Sequence, residues 1–548
     1  MKLKKLIYFI PLVAILIAAG TSCNKAKFDI NGNPNDPTDS TVTYDVVLPA
    51  ALHASGTIIA NQWGTIQNWM GYWARSGTYA PNVTEETYEI TTAFGNGIWN
   101  ACYDNNYDYN IVQLKAKAAG ATFYEGIARI MKAHNFQILV DVYGNVPYSE
   151  ALKGSANPVP KYDNGIDIYK ALLREIDAGI DSIKNATVTA TNGNKNIWKN
   201  DIMFGDPVNG KIDNVPAMKV KWAKFGNTLK LRLLIHAYNV AGIDKVTEMN
   251  KINTEGSGFL GAGENAQVQP GYVSDKPNPF YNTYKAVTSG AASQNQIYYA
   301  ANEWGINWYE ASQDPRHDRV YEDGAQGARG VKYGLPPITA NARAELSGIG
   351  PGLYKTNTSP QCILSAAESF LLQAEARHRG FITTGLSAQT LLETGMLESM
   401  IYLGVTNAAT KFSTFLGANS NSPEISYTAP SFAPSQGIPG GGLYTILAQK
   451  WFALNGVNTL EVWTDYRRVP YSEIAPTRVG AATDHFEYGE PSNYAPPGPP
   501  ISVAPQYKPG TKIPVRYLYP QSEYNYNPTN VGLQGTITPT SKIFWDLN

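Results

Sequence analysis

Charge is scarce in this sequence. Asp, Glu, Lys and Arg make up only 16% of its 548 residues, and 44 basic residues nearly cancel 45 acidic ones. A formal net charge of −1 supplies no basic field for a nucleic-acid backbone, so that class of partner is set aside. Cysteine is scarcer still, with Cys23, Cys102 and Cys362 alone. The six His are scattered without metal-ligand spacing, and neither H-E-x-x-H nor G-x-S-x-G occurs. Beyond residue 19 no apolar run is long enough to span a bilayer. Two phosphate-loop patterns fail on inspection. Gly205 to Lys211 spells G-x-x-x-x-G-K, but Ile212 stands where Ser or Thr would hold Mg²⁺. Gly261-x-Gly263-x-x-Ala266 lies outside any strand–helix unit. No catalytic residue, metal site or cofactor is therefore assigned, although the Asp- and Asn-rich loops leave a structural Ca²⁺ open.

The N-terminus carries an address. Lys2, Lys4 and Lys5 precede an apolar stretch from Leu6 to Ala19, the layout of a signal peptide. Gly20-Thr21-Ser22-Cys23 resembles a bacterial lipobox, which implies cleavage after residue 22 and lipidation of Cys23. Acyl chains anchor a folded body to a membrane without a spanning helix. Residues 23–43 are rich in Asn, Asp, Pro and Gly and read as an extended tether. Cys102 and Cys362 lie in apolar segments expected to be helical, which favours two buried free thiols over a disulfide.

What the chain has in abundance is aromatic residues, 11% of the total with 35 Tyr, and helical periodicity. In ATFYEGIARIMKAHNFQILVDVYGNVPYSEAL, residues 121–152, Phe123, Ile127, Ile130, His134 and Ile138 fall on one helical stripe. Gly126, Ala128 and Ala133 leave room for a neighbouring helix, and Asn145 and Pro147 are expected to end the element. Similar stripes predict helices over 44–70, 166–183, 221–240, 294–311, 362–379 and 390–404. Trp99, Tyr103, Tyr107 and Leu114 repeat at helical steps and are read as core. Residues 255–360 are dominated by Gly, Pro, Asn and Tyr and read as a long loop-rich insert.

Several segments resemble, in order, the SusD/RagB family of nutrient-binding outer-membrane lipoproteins. They are FDINGNPNDPT after the lipobox, YGNVPYSEAL, the DIMFGD turn at 201–206, KWAKFGNTLKLRL at 221–233, Asp314-Pro315-Arg316, and the AEA helix at 374–376. QKW at 449–451, EVWTDYRR at 461–468, and the closing IPVRYLYPQSEYNYNPTN with FWD complete the set. The resemblance implies a mostly α fold of tetratricopeptide-like helix pairs. It implies one domain over 44–548, with scaffold at about 44–254 and 361–480 and a ligand-facing insert at about 255–360. It further implies an outer-membrane, outward-facing protein that captures an oligosaccharide and passes it to a SusC-type TonB-dependent transporter.

Stacked helix pairs make a rigid scaffold, and loops set into it can carry a site. Flat aromatic side chains suit the apolar faces of sugar rings, with amides nearby for the hydroxyls. Trp73, Tyr79, Tyr298, Trp304 and Trp308 are the candidate ligand-binding residues, the first two in a Gly- and Thr-rich loop and the rest in the insert. Glu461, Asp465, Arg467 and Arg468 beside Trp463 look catalytic but are read as an ion-pair network tying helices together. Three alternatives stay open: peptide capture by the same kind of protein, a surface-anchored glycan hydrolase, and a protein–protein scaffold.

Overall fold

The computed structural model describes residues 42–430, 441–470, 499 and 501–547. The signal peptide, Cys23 and nearly all of the tether lie outside the described residues. The longer helices are α1 (Tyr44–Asn61), α2 (Asn96–Ala118), α3 (Thr122–Tyr143), α4 (Gly165–Lys184), α5 (Val215–His236) and α6 (Lys245–Glu255). After them come α7 (Glu303–Ser312), α8 (Ala366–His378), α9 (Ala388–Leu403), α10 (Ala408–Ala418), α11 (Leu443–Leu454) and α12 (Thr459–Arg468). Neighbours in sequence stack as pairs: α1 on α2, α3 on α4, α8 on α9, and α11 on α12. Helix α5 touches both α4 and α8, so it joins the pairs before the insert to those after it. The fold is mostly α.

Helix α3 lies at the centre. Only Thr122, Arg129 and Lys132 escape full burial along its length. It sits between α2 and α4, and the approach to α4 is close because both helices offer glycine. A Cβ on Gly126 would stand 2.6 Å from the Gly179 carbonyl oxygen, and one on Gly179 would stand 2.8 Å from that of Gly126. Helix α3 ends one residue earlier than the Asn145–Pro147 signal suggests. Gly144 adopts φ 81°, a conformation that costs residues with a Cβ, and donates its N–H to the Val140 carbonyl. Val146 and Pro147 then form strand β2.

Burial on α4 follows the sequence pattern, with Ile168, Leu172, Ile176 and Ile180 in the core. Helix α5 buries Trp222, Phe225, Leu229, Leu233 and His236. The DIMFGD turn that precedes it is built by Asp201. One carboxylate oxygen accepts the backbone N–H groups of Met203 and Phe204, and the other accepts Trp222 Nε1 at 2.7 Å.

Three helix expectations are corrected. The 44–70 segment breaks into α1 and a short helix, Gly64–Trp69. The 294–311 segment becomes a short helix, Gln294–Tyr298, a strand, and α7, whose start is set by Asn302 accepting the Trp304 N–H. The 362–379 segment opens as a strand, and α8 begins only where Ser365 accepts the Glu368 N–H. Each cap interrupts an apolar run that periodicity alone reads as continuous. Cys362 is thus on a strand, and both it and Cys102 are free, buried thiols. Along α2 the expected aromatic stripe divides: Trp99 is buried and Tyr103 packs against the core with Ile98, Cys102, Tyr109, Val112 and Ala116, whereas Tyr107 is 43% and Leu114 60% exposed.

Among the described residues strands occur in four two-stranded antiparallel ladders: β1 (Trp73–Arg75) with β5 (Tyr299–Ala301), β2 (Val146–Pro147) with β3 (Tyr162–Asp163), β4 (Ala266–Val268) with β8 (Gln361–Leu364), and β6 (Tyr321–Glu322) with β7 (Gly348–Ile349). The β4–β8 ladder closes the neck of the insert. The β1–β5 ladder ties the insert to the loop after Gly71.

The Gly126–Gly179 crossing makes a direct prediction. Gly126→Val should destabilise the chain by about 1–3 kcal/mol through overpacking, read as a lower thermal midpoint of the helical circular-dichroism signal. An unchanged midpoint would mean the two helices can separate at no cost.

Candidate functional site

Two polar constellations stand out, one sealed and one at the surface. The sealed one gathers residues from α3, α5, α8, α11 and α12. Arg468 spans Glu375 and Asp465, with Nη2 2.6 Å from Glu375 Oε2 and 2.5 Å from Asp465 Oδ1. Lys450 Nζ lies 2.8 Å from Asp465 Oδ2. Arg232 pairs with Glu368 and approaches Glu461 Oε1 at 3.5 Å. Arg467 donates to the carbonyls of Asp141 and Val515, and its guanidinium lies 3.6 Å from the centre of the Trp463 ring. These side chains are all buried, and desolvated charges persist only when paired this completely. Burial works against the Glu375 carboxylate, yet Arg468 and Arg379 hold its pKa well below the usual range. This is the network expected from EVWTDYRR, and it fastens helices.

His236 sits at the heart of it. Its Nε2 is 2.8 Å from Glu461 Oε2, and its Nδ1 is 3.2 Å from Asp141 Oδ2. Asp141 also accepts Tyr169 OH, Trp545 Nε1 at 3.1 Å and Gln137 Nε2 at 3.0 Å. Asp141, His236 and Glu461 have the chemistry of a metal triad, with ligand atoms within 4.8 Å of one another. Their arrangement suits a proton instead. The two carboxylates face opposite nitrogens of one ring, so an ion on either nitrogen would have that nitrogen and one carboxylate beside it, whereas a proton on each nitrogen satisfies both carboxylates. Burial opposes the imidazolium, but Glu461 and Asp141 more than offset it and raise the pKa to about 9.

The surface constellation is aromatic. The β1–β5 ladder pairs Arg75 with Tyr299, and the Ser76 N–H donates to the Tyr298 carbonyl just beyond it. That register places Tyr79 against Tyr298, their ring centroids 5.2 Å apart at 66°. Both are half-buried. Arg75 holds the loop in place. It is buried, pairs with Glu86 at 2.7 Å, and donates to the carbonyls of Tyr79 and Leu335. Gln294, Asn295 and Gln296 lie on the short helix leading into Tyr298, and Thr78 is exposed beside Tyr79.

The five sequence-predicted aromatics therefore divide. Tyr79 and Tyr298 come together although 219 positions separate them. Trp308 is half-buried on α7, 6.4 Å from Trp304. Trp73 and Trp304 are core residues, 1% and 8% exposed. Trp73 was expected in an open loop but lies on a strand, packed against Tyr284 and Tyr299 at 5.2 and 5.3 Å. Trp304 packs on Trp451 at 5.3 Å and covers Gly71. Another half-buried pair went unpredicted, Tyr281 and Tyr354, 6.3 Å apart with Lys285 over the Tyr354 ring. No local signal marks it, because its partners meet only through the fold of the insert. Asp314 and Arg316 of the DPR turn are buried, and Arg316 donates to Gln449 on α11, so that turn anchors the insert and takes no part in the aromatic face.

Two outcomes follow. Because the folded pKa of His236 is raised, its contribution is fully present below about pH 6.5 and is lost as pH rises through about 9. The urea midpoint should fall from pH 6.5 to 8, and His236→Gln should remove that slope; a flat wild-type profile would mean the ring is neutral in its site. Separately, Trp73→Ala should cost about 3–5 kcal/mol in urea unfolding, a core-truncation penalty, while Tyr79→Ala should stay within about 1 kcal/mol of wild type.

Comparison with known proteins adds the family. Residues 35–488 match the SusD-like family model described as starch-binding and associating with the outer membrane. Solved structures with the same fold include a SusD homolog from Bacteroides fragilis (19% identity, TM-score 0.67, 92% of this chain and 99% of that one). A chitin-binding SusD homolog from Flavobacterium johnsoniae aligns at 20% identity and TM-score 0.65 over 91% and 99%. A SusD/RagB family protein from Bacteroides thetaiotaomicron aligns at 17% identity and TM-score 0.65 over 92% and 99%. No curated protein sequence matches. With the family model spanning most of its length, and the motif-bearing helices placed as a SusD-type scaffold, this chain belongs to the SusD/RagB family.

Proposed function

We propose that this protein is a non-catalytic glycan-capture lipoprotein of the outer membrane, anchored through Cys23, that passes an oligosaccharide to a SusC-type TonB-dependent transporter. The observation that carries this reading is the Tyr79–Tyr298 pair, two aromatic faces partly open to solvent on a loop that Arg75 and Glu86 hold rigid. Rigid aromatics bury sugar C–H faces at low entropic cost, and the amides of Gln294, Asn295 and Gln296 stand close by for hydroxyl groups. The family description as starch-binding and the chitin-binding relative support a neutral glycan. Trp308, half-buried on α7, is a further candidate contact, whereas Trp73 and Trp304 are buried and do not touch ligand. Among the described residues no helix is long and apolar enough to cross a membrane, which accords with anchoring by acyl chains.

Titration with malto- and chito-oligosaccharides tests the site. The triple variant Tyr79→Ala/Tyr298→Ala/Trp308→Ala should bind at least tenfold more weakly than wild type at an unchanged thermal midpoint. Equal binding by the folded triple variant would remove this surface from consideration, and shorter sugars appearing during incubation would turn the reading toward a hydrolase.

A further inference from the structure

A pocket bordered by β8, the short helix Pro351–Tyr354, the end of α9 and the α11–α12 turn belongs to neither constellation. Its volume is about 20 Å³. One buried water takes roughly 10–15 Å³ of such space, so a group of carboxylate size fits. Tyr354, Lys355, Gln361, Cys362 and Tyr402 line it. The Lys355 ammonium lies 3.5 Å from the centre of the Tyr402 ring, and among the described residues no carboxylate pairs with it. Arg319 donates through Nε to the Leu403 carbonyl at 2.9 Å, next to Tyr402, and among the described residues it too lacks an acidic partner. Two acids of this region are held by other cations. Glu322 takes Lys285 at 3.0 Å and Tyr354 OH at 3.2 Å, and Glu368 takes Arg232. The Cys362 thiol and the Tyr402 phenol stay protonated, because burial pushes the first up to about 12 and the second well above its usual range. Burial, with Arg319 adding like charge, lowers the Lys355 pKa. The Lys355 backbone has φ 47° and ψ −110°, a conformation open to glycine and costly for a residue with a Cβ. Neither that conformation nor the unpaired ammonium favours folding, so stability alone does not account for lysine at this position.

We infer that this pocket binds a carboxylate carried on a sugar ring, with Lys355 as its counter-ion and Tyr354 beside the ring. Charge balance is the first argument. Two cations that feel one another with no acid between them attract an anion, and a desolvated ammonium makes a strong, charge-assisted bond to one. Size is the second. The space admits the carboxylate and leaves the ring outside it, against Tyr354, which is half-buried with Tyr281 edge-on at 6.3 Å. A carboxylate fits better than a sulfate or phosphate group, which carries an additional terminal oxygen. The ligand class is therefore a uronic acid, distinct from the neutral sugars assigned to the Tyr79–Tyr298 face. That face shares no residue with this pocket. The choice of a sugar rests on the glycan-capture reading, whereas the anion site does not.

Ligand-observed NMR titration of the full chain with methyl glucuronide, methyl glucoside and acetate tests the inference. The glucuronide should bind at least tenfold more tightly than either control, because the glucoside lacks the charge and acetate lacks the ring. Lys355→Met keeps an apolar stem over Tyr402 and removes the charge. It should weaken the glucuronide at least tenfold while the thermal midpoint stays level or rises. Lys355→Gly should also lose binding, and should raise the midpoint by relieving the backbone. Tyr354→Ala should weaken the glucuronide and leave acetate unchanged. The triple variant Tyr79→Ala/Tyr298→Ala/Trp308→Ala should bind the glucuronide as wild type does, so a failure of that surface and a failure of this pocket read separately. The anion site is refuted if no glucuronide binds at millimolar concentration, or if Lys355→Met binds it as wild type does. Acetate binding as tightly as the glucuronide would overturn the assignment to a sugar.

Discussion

Salt bridges on a protein surface contribute little, but the set around Arg468 and His236 is fully desolvated, and the architecture turns on it. Arg468 and Lys450 share Asp465, Arg468 continues to Glu375, Arg232 reaches Glu368 and Glu461, and His236 bridges Glu461 and Asp141. Those residues come from helices on both sides of the insert. Removing one member leaves a buried charge without its partner, a loss of about 3–5 kcal/mol in such networks. The network therefore acts as a register device. Helix α5 meets α8 and α12 in the alignment that pairs Arg232 with Glu368 and His236 with Glu461. Hydrophobic stripes tolerate sliding by a turn, and this set of pairs does not.

Fixing the scaffold frees the insert to be irregular. It leaves the scaffold through β4 and returns through β8, and between them it is held by a few strong points. Arg316 reaches Gln449, Tyr309 OH donates to the Phe452 carbonyl, and Trp304 packs on Trp451. All three lead to α11, which is buried along its whole length. A loop-rich segment of this kind can vary its exposed faces without disturbing the helices, because its anchors point inward. Two of the strongest aromatic candidates, Trp73 and Trp304, prove to be anchors of this sort. Of the five candidates, Tyr79 and Tyr298 are left half-open where they meet at the ladder end, and Trp308 is left half-open on α7.

Much was legible before any coordinates. Period-3.6 stripes gave α3, α4 and α5 with their buried faces, since apolar side chains repeating on one side of a helix have one energetically acceptable destination. The EVWTDYRR segment was readable as a structural network, because charged residues beside Trp on a buried helix must pair. Helix ends were less legible. Asn302 and Ser365 cap α7 and α8 inside apolar runs, and Gly144 ends α3 by its positive φ, signals carried by one residue against a pattern carried by many. The α2 stripe held only in part: Trp99 is buried and Tyr107 is exposed although they share a face, because packing decides how far along a helix its partners reach.

The sequence by itself determined the helices, the loop-rich insert and the inventory of aromatic side chains, because these depend on local spacing and backbone chemistry. Only the tertiary structure decided which aromatics are open, and it did so through strand pairing across more than two hundred residues. A site assembled from distant segments has no period to read, since the distances that matter are set by how the segments pack.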